Sequence, residues 1–552
     1  MKDLIFKLVL ENAVRYNGKP NQKAVIGKIL AERPNLKKEI TKIAKEVNEA
    51  VGKVKELTLE EQTKKLKQIA PEFFEKKRVK KEKELPGLKN VKGNIVMRLA
   101  PYPSGPLHIG NTKTYVANDY YVKRYGGKLL LVMDDTIGSE TKNITNDAYS
   151  LIPDGLKWLD VKFDENIVYK SDRLEIYYEY AEKLIKADKA YVCFCKQDVL
   201  RNNRAKGIVC PCRTASIQKN LDEWKKMFDV YKEGEAVLRI KTSMEHPNPA
   251  FRDRVLFRIS DREHPRIGKK YKVWPLLEFS WAIDDYLLGI THILRGKDLM
   301  MESEMESYIW DIFKWPKPEL LHTGLVQIEG VKISKSKSSE EVKKGVYSGW
   351  DDPRTWSLQS LKRRGILPEA VRNFSLSFGL NMNEIVVPVE NLYAENRKLL
   401  DPIAKRFFFI ENPKEVVIKN APNLEVELDL HPEMCKGGRR FVAHDKFYIP
   451  GKLMLEDNVV YRFMNLFNFQ NKEFISKEHD PKLKPKMLHW LPVETGNVKV
   501  EVLMPDAVIK KGLAEKGVLG LKVGDIVQFE RFGFCRLDKI ENNKLIFWFA
   551  HK

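Results

Sequence analysis

Apolar and polar positions change their spacing twice along the chain. Residues 1 to about 85 repeat apolar side chains at helical intervals, and they end in the run Glu75-Lys76-Lys77-Arg78-Val79-Lys80-Lys81-Glu82-Lys83-Glu84 before Pro86-Gly87. This predicts a helical N-terminal appendage over 1–90; the charge run reads as a solvated helix face whose sign also suits an RNA-facing surface. From Asn94 short apolar runs alternate with helical stretches. Ile95 to Leu99 predicts a strand, a Pro/Gly loop follows, Leu107 to about Tyr125 predicts a helix, and Leu129 to Met133, stopped by Asp134-Asp135-Thr136, predicts a second strand. Strand, loop, helix, strand implies a crossover between parallel strands. Ser171-Asp172 is expected to cap a further helix carried by Leu174, Tyr177, Tyr178, Ala181, Leu184 and Ile185. Residues 91–385 therefore read as a doubly wound, Rossmann-like α/β domain with an insertion at about 190–275. Beyond 385 the runs Asn497 to Leu503, Asp525 to Glu530 and Lys544 to Phe549 predict an all-β region over 386–552, the last two runs flanking a turn at Asn542-Asn543. There is no internal repeat and no long low-complexity tract.

Composition narrows the partners. With 552 residues, 43% apolar and 31% charged, the chain can bury several cores. No run approaches the ~18 apolar residues that span a bilayer, and Met1-Lys2-Asp3-Leu4 does not open a signal peptide, so a cytoplasmic protein is expected, away from membranes. Lys and Arg outnumber Asp and Glu by 97 to 76, a net charge of +21 that attracts polyanions. A heat-adapted surface also carries many lysines, but it balances the two signs. Six cysteines are too few for a disulfide framework in a chain this long. Four of them fall in two tight pairs, Cys193-Phe194-Cys195 and Cys210-Pro211-Cys212, a set that can close four thiolates around one tetrahedral Zn²⁺. Cys435 and Cys535 stand alone and read as packed or inert.

Two segments carry candidate chemistry. The stretch Arg98-Leu99-Ala100-Pro101-Tyr102-Pro103-Ser104-Gly105-Pro106-Leu107-His108-Ile109-Gly110-Asn111 follows the first strand, where a doubly wound sheet places its ligand. Helix-terminal amides there suit phosphate, Gly105 and Gly110 allow close approach, and His108 can donate to a phosphate oxygen. The second, Lys332-Ile333-Ser334-Lys335-Ser336-Lys337, follows the strand-like Val326 to Val331. Three lysines and two hydroxyls in a mobile loop can stabilise charge developing on a leaving diphosphate.

The ordered pair resembles the two signatures of class I aminoacyl-tRNA synthetases, HIGH at His108 to Asn111 and KMSKS at Lys332 to Ser336. Further stretches are similar to the glutamyl/glutaminyl subclass: Asp134-Asp135-Thr136, Ser171-Asp172-Arg173-Leu174-Glu175, Ala190-Tyr191-Val192-Cys193, Gly289-Ile290-Thr291-His292-Ile293-Leu294-Arg295-Gly296-Lys297-Asp298, Asp351-Asp352-Pro353-Arg354 and Val527-Gln528-Phe529-Glu530-Arg531. Within it the chain most resembles the archaeal type of glutamyl-tRNA synthetase. The resemblance implies ATP-dependent activation of an amino acid with Mg²⁺ at the phosphates, then transfer to tRNA. It implies ATP contacts at Pro103, Ser104, Gly105, His108, Gly110, Asn111, Ser334 and Lys335, with His108, Asn111, Lys332 and Lys335 acting on the phosphates. It also implies substrate contacts at Arg98, Ala100, Asp134 and Arg295, an acceptor-binding insertion built on a structural zinc at Cys193, Cys195, Cys210 and Cys212, and C-terminal β-barrels that read the anticodon.

Physical argument addresses the amino acid. Two carboxylates and one ammonium ask for two cations and one anion, and Arg98, Asp134 and Arg295 supply them from the ends of predicted strands. By resemblance Asp134 would hold the ammonium and Arg295 the side-chain carboxylate; the glutamine branch has a neutral group in the place of Arg295. The partners are then tRNA(Glu), glutamate and, left open, tRNA(Gln). Departures from the pattern are Asn111 for the last His of HIGH, Tyr102 for a small polar residue, Val132 for an Arg, and Leu277 and Trp281 in the pocket. These departures support a rival reading, a non-charging paralogue, against which stand the intact Lys332 to Ser336 loop and the long C-terminal region; glutaminyl-tRNA synthetase is opposed by Arg295. Tyr461-Arg462-Phe463 and Phe529-Glu530-Arg531-Phe532 interleave aromatic and basic residues, which suits base stacking in an anticodon loop, although the pattern alone favours core packing.

Overall fold

The computed structural model describes residues 2–15, 18, 20–32, 39–70, 84–138, 143–331, 335–433, 435–494, 496–542 and 544–552. It divides into two units, Met1–Glu84 and Leu85–Lys552. In the first, helices α1 (Lys2–Arg15), α2 (Gln22–Glu32), α3 (Ile40–Lys55) and α4 (Leu59–Ile69) bury one shared core that includes Leu8, Val9, Ile29, Val47, Val54 and Leu66. A capping box starts α4: the Thr58 side chain accepts from the Glu61 N–H while Glu61 reaches back to the Thr58 N–H. All but Glu84 of the charge run 75–84 lies outside the described residues.

The second unit opens with β1 (Val96–Leu99), α5 (Thr112–Tyr125), β2 (Lys128–Met133) and β3 (Val168–Tyr169). All three strands are parallel, with Arg98 beside Leu130 and Met133 beside Tyr169. After α6 (Leu174–Lys186) the chain makes a four-stranded antiparallel sheet of β4 (Ala190–Cys193), β5 (Val237–Ile240), β6 (Val255–Ile259) and β7 (Val273–Pro275). It returns through α7 (Leu277–Leu287) to the parallel pair β8 (His292–Gly296) and β9 (Glu319–Thr323), with α8 (Met300–Phe313) between them. The Thr291 N–H donates to the Val96 carbonyl at 2.9 Å, which sets β8 beside β1. The strand order β3-β2-β1-β8-β9 reverses direction between β1 and β8, the switch point at which doubly wound sheets bind their ligands.

Several expectations need correction. The helix predicted from Leu107 begins at Thr112, because the Leu107 carbonyl and the Ile109 N–H are tied crosswise to Leu358 and Trp356 and hold the chain extended. Ser171 does not cap α6. Its hydroxyl and N–H both go to the Asp135 carboxylate, and Arg173 occupies the cap position. The six apolar residues named for α6 are all buried. The strand β10 (Val326–Glu329) pairs with β11 (Ile385–Pro388) in a separate ladder, not in the β1–β3 sheet. Within Lys332 to Lys337, residues 332–334 lie outside the described residues, and Lys335 opens the helix α9 (Lys335–Lys343) where a loop was expected.

The β-rich C-terminal region has two cores. One is covered by a seven-stranded sheet in the order Lys405–Phe407, Ile526–Phe529, Gly533–Glu541, Lys544–His551, Val498–Leu503, Ile509–Ala514, Phe409–Glu411. Its two edge strands flank the single residue Phe408, so the sheet is nearly closed. The other core, centred on Phe447, Phe463, Phe467 and Trp490, belongs to the excursion 412–497. The turn at Asn542 joins Gly533–Glu541 to Lys544–His551, so the strand paired across it is not 525–530. Positive φ at Arg531 (64°) and Gly533 (143°) folds that earlier run back first. Tyr461, Phe463 and Phe529 are core residues, 2%, 0% and 0% exposed, and offer no face for stacking bases, while Phe532 is half-buried.

Candidate active site

The segment after β1 is shaped by its own hydrogen bonds. His108 is extended; its Nδ1 accepts from the Gly110 N–H at 3.1 Å, and its N–H donates to Asn111 Oδ1 at 3.1 Å. An accepting Nδ1 places the ring proton on Nε2, the tautomer that can donate to an anion. Asn111 thus serves as a cap through its amide oxygen. Gly105 has φ +146°, and a Cβ there would come within 2.9 Å of the Trp350 ring, so only glycine fits. The Pro103 carbonyl accepts from Thr145, and the Pro101 carbonyl from the Asp134 N–H at 3.0 Å, which joins this loop to the end of β2. Lys113, in the first turn of α5, donates to the Gly324 carbonyl at 2.8 Å, and burial pushes its pKa down.

The structure brings Arg98, Asp134 and Arg295 together at the switch point, each with a partner absent from the sequence reading. Arg98 is bidentate to Asp285, with Nη2 to Oδ2 at 2.8 Å. Burial alone would lower its pKa, but Asp285, Glu306 and Asp134 more than offset that. Arg295 is bidentate to Glu306 at 2.8 and 2.6 Å and also donates to Ser303 Oγ at 2.6 Å. Its fork is therefore not open to a carboxylate as expected, because a guanidinium this buried requires a counter-charge. Its Nε is left without a partner. Burial raises the Glu306 carboxyl, and Arg295 pulls it back. Asp134 pairs with Lys170 Nζ at 2.9 Å; both are almost fully buried, and Lys170 also donates to Ser280 Oγ. Arg98, Lys170 and Arg295 lie 4.7, 5.0 and 5.0 Å from the centre of one indole, that of Trp281.

Asp135 faces away from this cluster. It accepts from Ser171 and from the Tyr149 hydroxyl at 3.0 Å, while its carbonyl accepts from His264 Nε2 at 2.7 Å. Tyr102 is pushed up to about 12, mostly by burial and then by Asp134. Val132, where an Arg was expected, points into an apolar core. Sequence reasoning missed Lys170, Asp285 and Glu306, and met Trp281 only as an oddity. The available signal was charge balance, since two buried arginines need two buried carboxylates. Of the second signature, Lys332 and Ser334 lie outside the described residues, and only the backbone of Lys335 is placed.

At the tip of the antiparallel sheet the sulfurs of Cys193, Cys195, Cys210 and Cys212 lie within 4.8 Å of one another. Two of the separations, Cys193–Cys210 and Cys195–Cys210, are 3.5 and 3.4 Å. Four thiolates about 2.3 Å from a tetrahedral Zn²⁺ would sit roughly 3.8 Å apart, so the set fits that ion. Burial, then the neighbouring Cys210, push the Cys195 thiol up to about 11, so without a cation it stays protonated.

Residues 94–402 match the family described as tRNA synthetases class I (E and Q), catalytic domain. Residues 404–487 and 487–538 match two descriptions of the corresponding anti-codon binding domain. Over the whole chain, and 100% of each relative, the sequence is 44% identical to glutamate–tRNA ligase of Methanocaldococcus jannaschii, 45% to that of Pyrococcus furiosus and 41% to that of Methanobrevibacter smithii.

Proposed function

The chain belongs to the glutamyl/glutaminyl branch of the class I tRNA synthetases, and from that membership we propose that it joins glutamate to the terminal adenosine of tRNA(Glu) at the expense of ATP. A carboxylate oxygen of glutamate attacks the α-phosphorus, and the bond to diphosphate breaks. A terminal ribose hydroxyl then attacks the acyl carbon of the adenylate and AMP leaves, with no covalent enzyme intermediate. Catalysis is positioning plus stabilisation of phosphate charge. Pro103, Ser104, Gly105 and Gly110 would border the nucleotide, the Nε2–H of His108 and the amide of Asn111 would face its phosphates, and by family membership Lys332, Ser334 and Lys335 of the second signature would act on the same phosphates. Mg²⁺, when bound with ATP, supplies neutralising charge there.

The amino-acid pocket is the observation that carries the reading. Three ion pairs gather on the Trp281 indole beside the phosphate loop. Asp134 has two oxygens, one engaged by Lys170, and would take the substrate ammonium; Arg98 and the backbone at Ala100 border the α-carboxylate. Arg295 meets the side-chain carboxylate through the Nε edge that Glu306 does not occupy. The cysteine knot holds one zinc and shapes the acceptor-binding insertion. The anticodon falls to the C-terminal β region, where a cavity of about 550 Å³ lined by Glu425, Glu427, Arg439, Arg440 and Lys516 can receive an unstacked base. Among the described residues no helix is long and apolar enough to cross a membrane, and translation places such an enzyme in the cytoplasm. Charging assays with all twenty amino acids, on tRNA(Glu) and tRNA(Gln) separately, test the proposal. Absence of glutamate charging on tRNA(Glu) refutes it, and the second tRNA sets its breadth.

A further inference from the structure

Arg239 lies in β5 opposite Tyr191 of β4, two residues before Cys193, and it is 1% exposed. Its Nε donates to the Asp253 carbonyl at 2.7 Å, its guanidinium carbon lies 5.4 Å from the centre of the Tyr191 ring, and its Nη1 points at Cys193 Sγ at 3.7 Å. Among the described residues it makes no ion pair with a carboxylate within 4.0 Å. The nearby Asp253 carboxylate is already engaged: Oδ2 accepts from the Tyr191 hydroxyl at 2.9 Å and pairs with Arg213 Nε at 3.0 Å, while Oδ1 accepts from the Thr242 N–H. A guanidinium cannot shed its charge on burial, so it needs a counter-ion in the interior. Four thiolates around one divalent cation keep two negative charges, and Arg239 aims a donor at one of those sulfurs.

We infer that Arg239 is the internal counter-ion of the cysteine knot, holding Cys193 in position and buried against the negative charge that the metal-loaded knot retains. This rests on the zinc reading above. It makes the effect of removing Arg239 depend on metal. With zinc present, Arg239→Met strands the charge of the knot; after the metal is stripped, the same change removes a buried cation that has lost its partner.

The test uses the full chain as wild type, Arg239→Met and Arg239→Lys. Zinc content is measured by elemental analysis, zinc affinity by competition with a chelating dye, and thermal unfolding with and without metal under reducing conditions. The Met variant should bind zinc about 10–100-fold more weakly, the usual effect of losing a partner of a metal ligand, with the Lys variant between it and wild type. Metal-stripped Met protein should melt at or above the stripped wild type. Unchanged zinc affinity in both variants, or an equal drop in melting temperature with and without metal, makes Arg239 a packing residue and overturns the inference. If Met cannot be purified folded, the Lys variant alone decides, since a point charge in place of the fork must still weaken zinc binding. Wild type without zinc refutes the metal reading as well, whereas zinc-loaded wild type beside indifferent variants refutes the counter-ion alone.

Discussion

Replacing Arg295 by glutamine should do two separable things, because its guanidinium both satisfies Glu306 and faces the substrate pocket. Glu306 is 0% exposed and takes two Arg295 donors, at 2.8 and 2.6 Å. Removing one partner of such a buried pair costs about 3–5 kcal/mol, since the remaining charge stays buried and uncompensated. Arg295→Gln alone should therefore lower the unfolding free energy by roughly 3 kcal/mol. Adding Glu306→Gln replaces the stranded carboxylate by an amide and should recover most of the loss. Recognition should not recover with it. If the side-chain carboxylate of glutamate bonds to Arg295 Nε–H, kcat/KM for glutamate falls by about a hundredfold or more in both the single and the double variant, at roughly tenfold per 1.4 kcal/mol. Glutamine, whose neutral amide needs no cation, should lose less. The measurements are urea unfolding and kcat/KM for both amino acids in wild type, single and double variants. Glutamate efficiency returning with stability in the double variant would show that Arg295 is structural and that the carboxylate is held elsewhere.

Gly105→Ala should raise the KM for ATP about tenfold or more, because its Cβ would fall 2.9 Å from Trp350 at a φ of +146°; Trp350→Leu in the same chain should recover part of this, and an unchanged KM would contradict the proposed nucleotide loop. Lys335→Ala should lower the turnover of glutamate activation with little change in tRNA affinity, measured by diphosphate exchange and filter binding; a parallel loss of both would point to misfolding. His551 and His489 have pKa values lowered to about 4, chiefly by burial. Against about 6.5 when unfolded, the unfolded chain binds more protons, so their stabilisation is complete above about pH 6.5 and is lost as pH falls toward 4. For His551, 1% exposed, the loss should reach about 2 kcal/mol at pH 5, and His551→Gln should flatten the pH dependence of urea unfolding; an unchanged slope would refute the assignment.

How much could be read beforehand depended on range along the chain. β2 was legible because five of its six residues are buried, and α6 because its apolar residues all face one core. Asp285 was not, since it meets Arg98 across 187 residues, and no local pattern marks a counter-ion. Tyr461 and Phe463 look like a stacking surface beside Arg462, yet Arg462 is itself folded inward onto Asn468 and the carbonyls of Lys477 and Glu478. The strand Gly533–Glu541 escaped notice because only its first half is buried, which leaves its tail reading as a loop.

The order of the seven-stranded sheet bears on how the protein is made. Its middle strand, Lys544–His551, is synthesised after the other six, yet it separates Val498–Leu503 from Gly533–Glu541. A nascent chain can complete the excursion 412–497 while still on the ribosome, but Val498–Leu503 and Gly533–Glu541, each already paired along one edge, must wait with the other edge open for the late strand. The same late strand carries Phe549 and Ala550, whose carbonyls accept from Arg364, and His551, which accepts from Asn396. Docking of the catalytic half against the sheet can begin at Gly533–Glu541, where Arg363 is bidentate to Asp538, but it is completed only once translation has run past residue 544. A prematurely terminated chain would present an open sheet edge to proteases in place of a working enzyme.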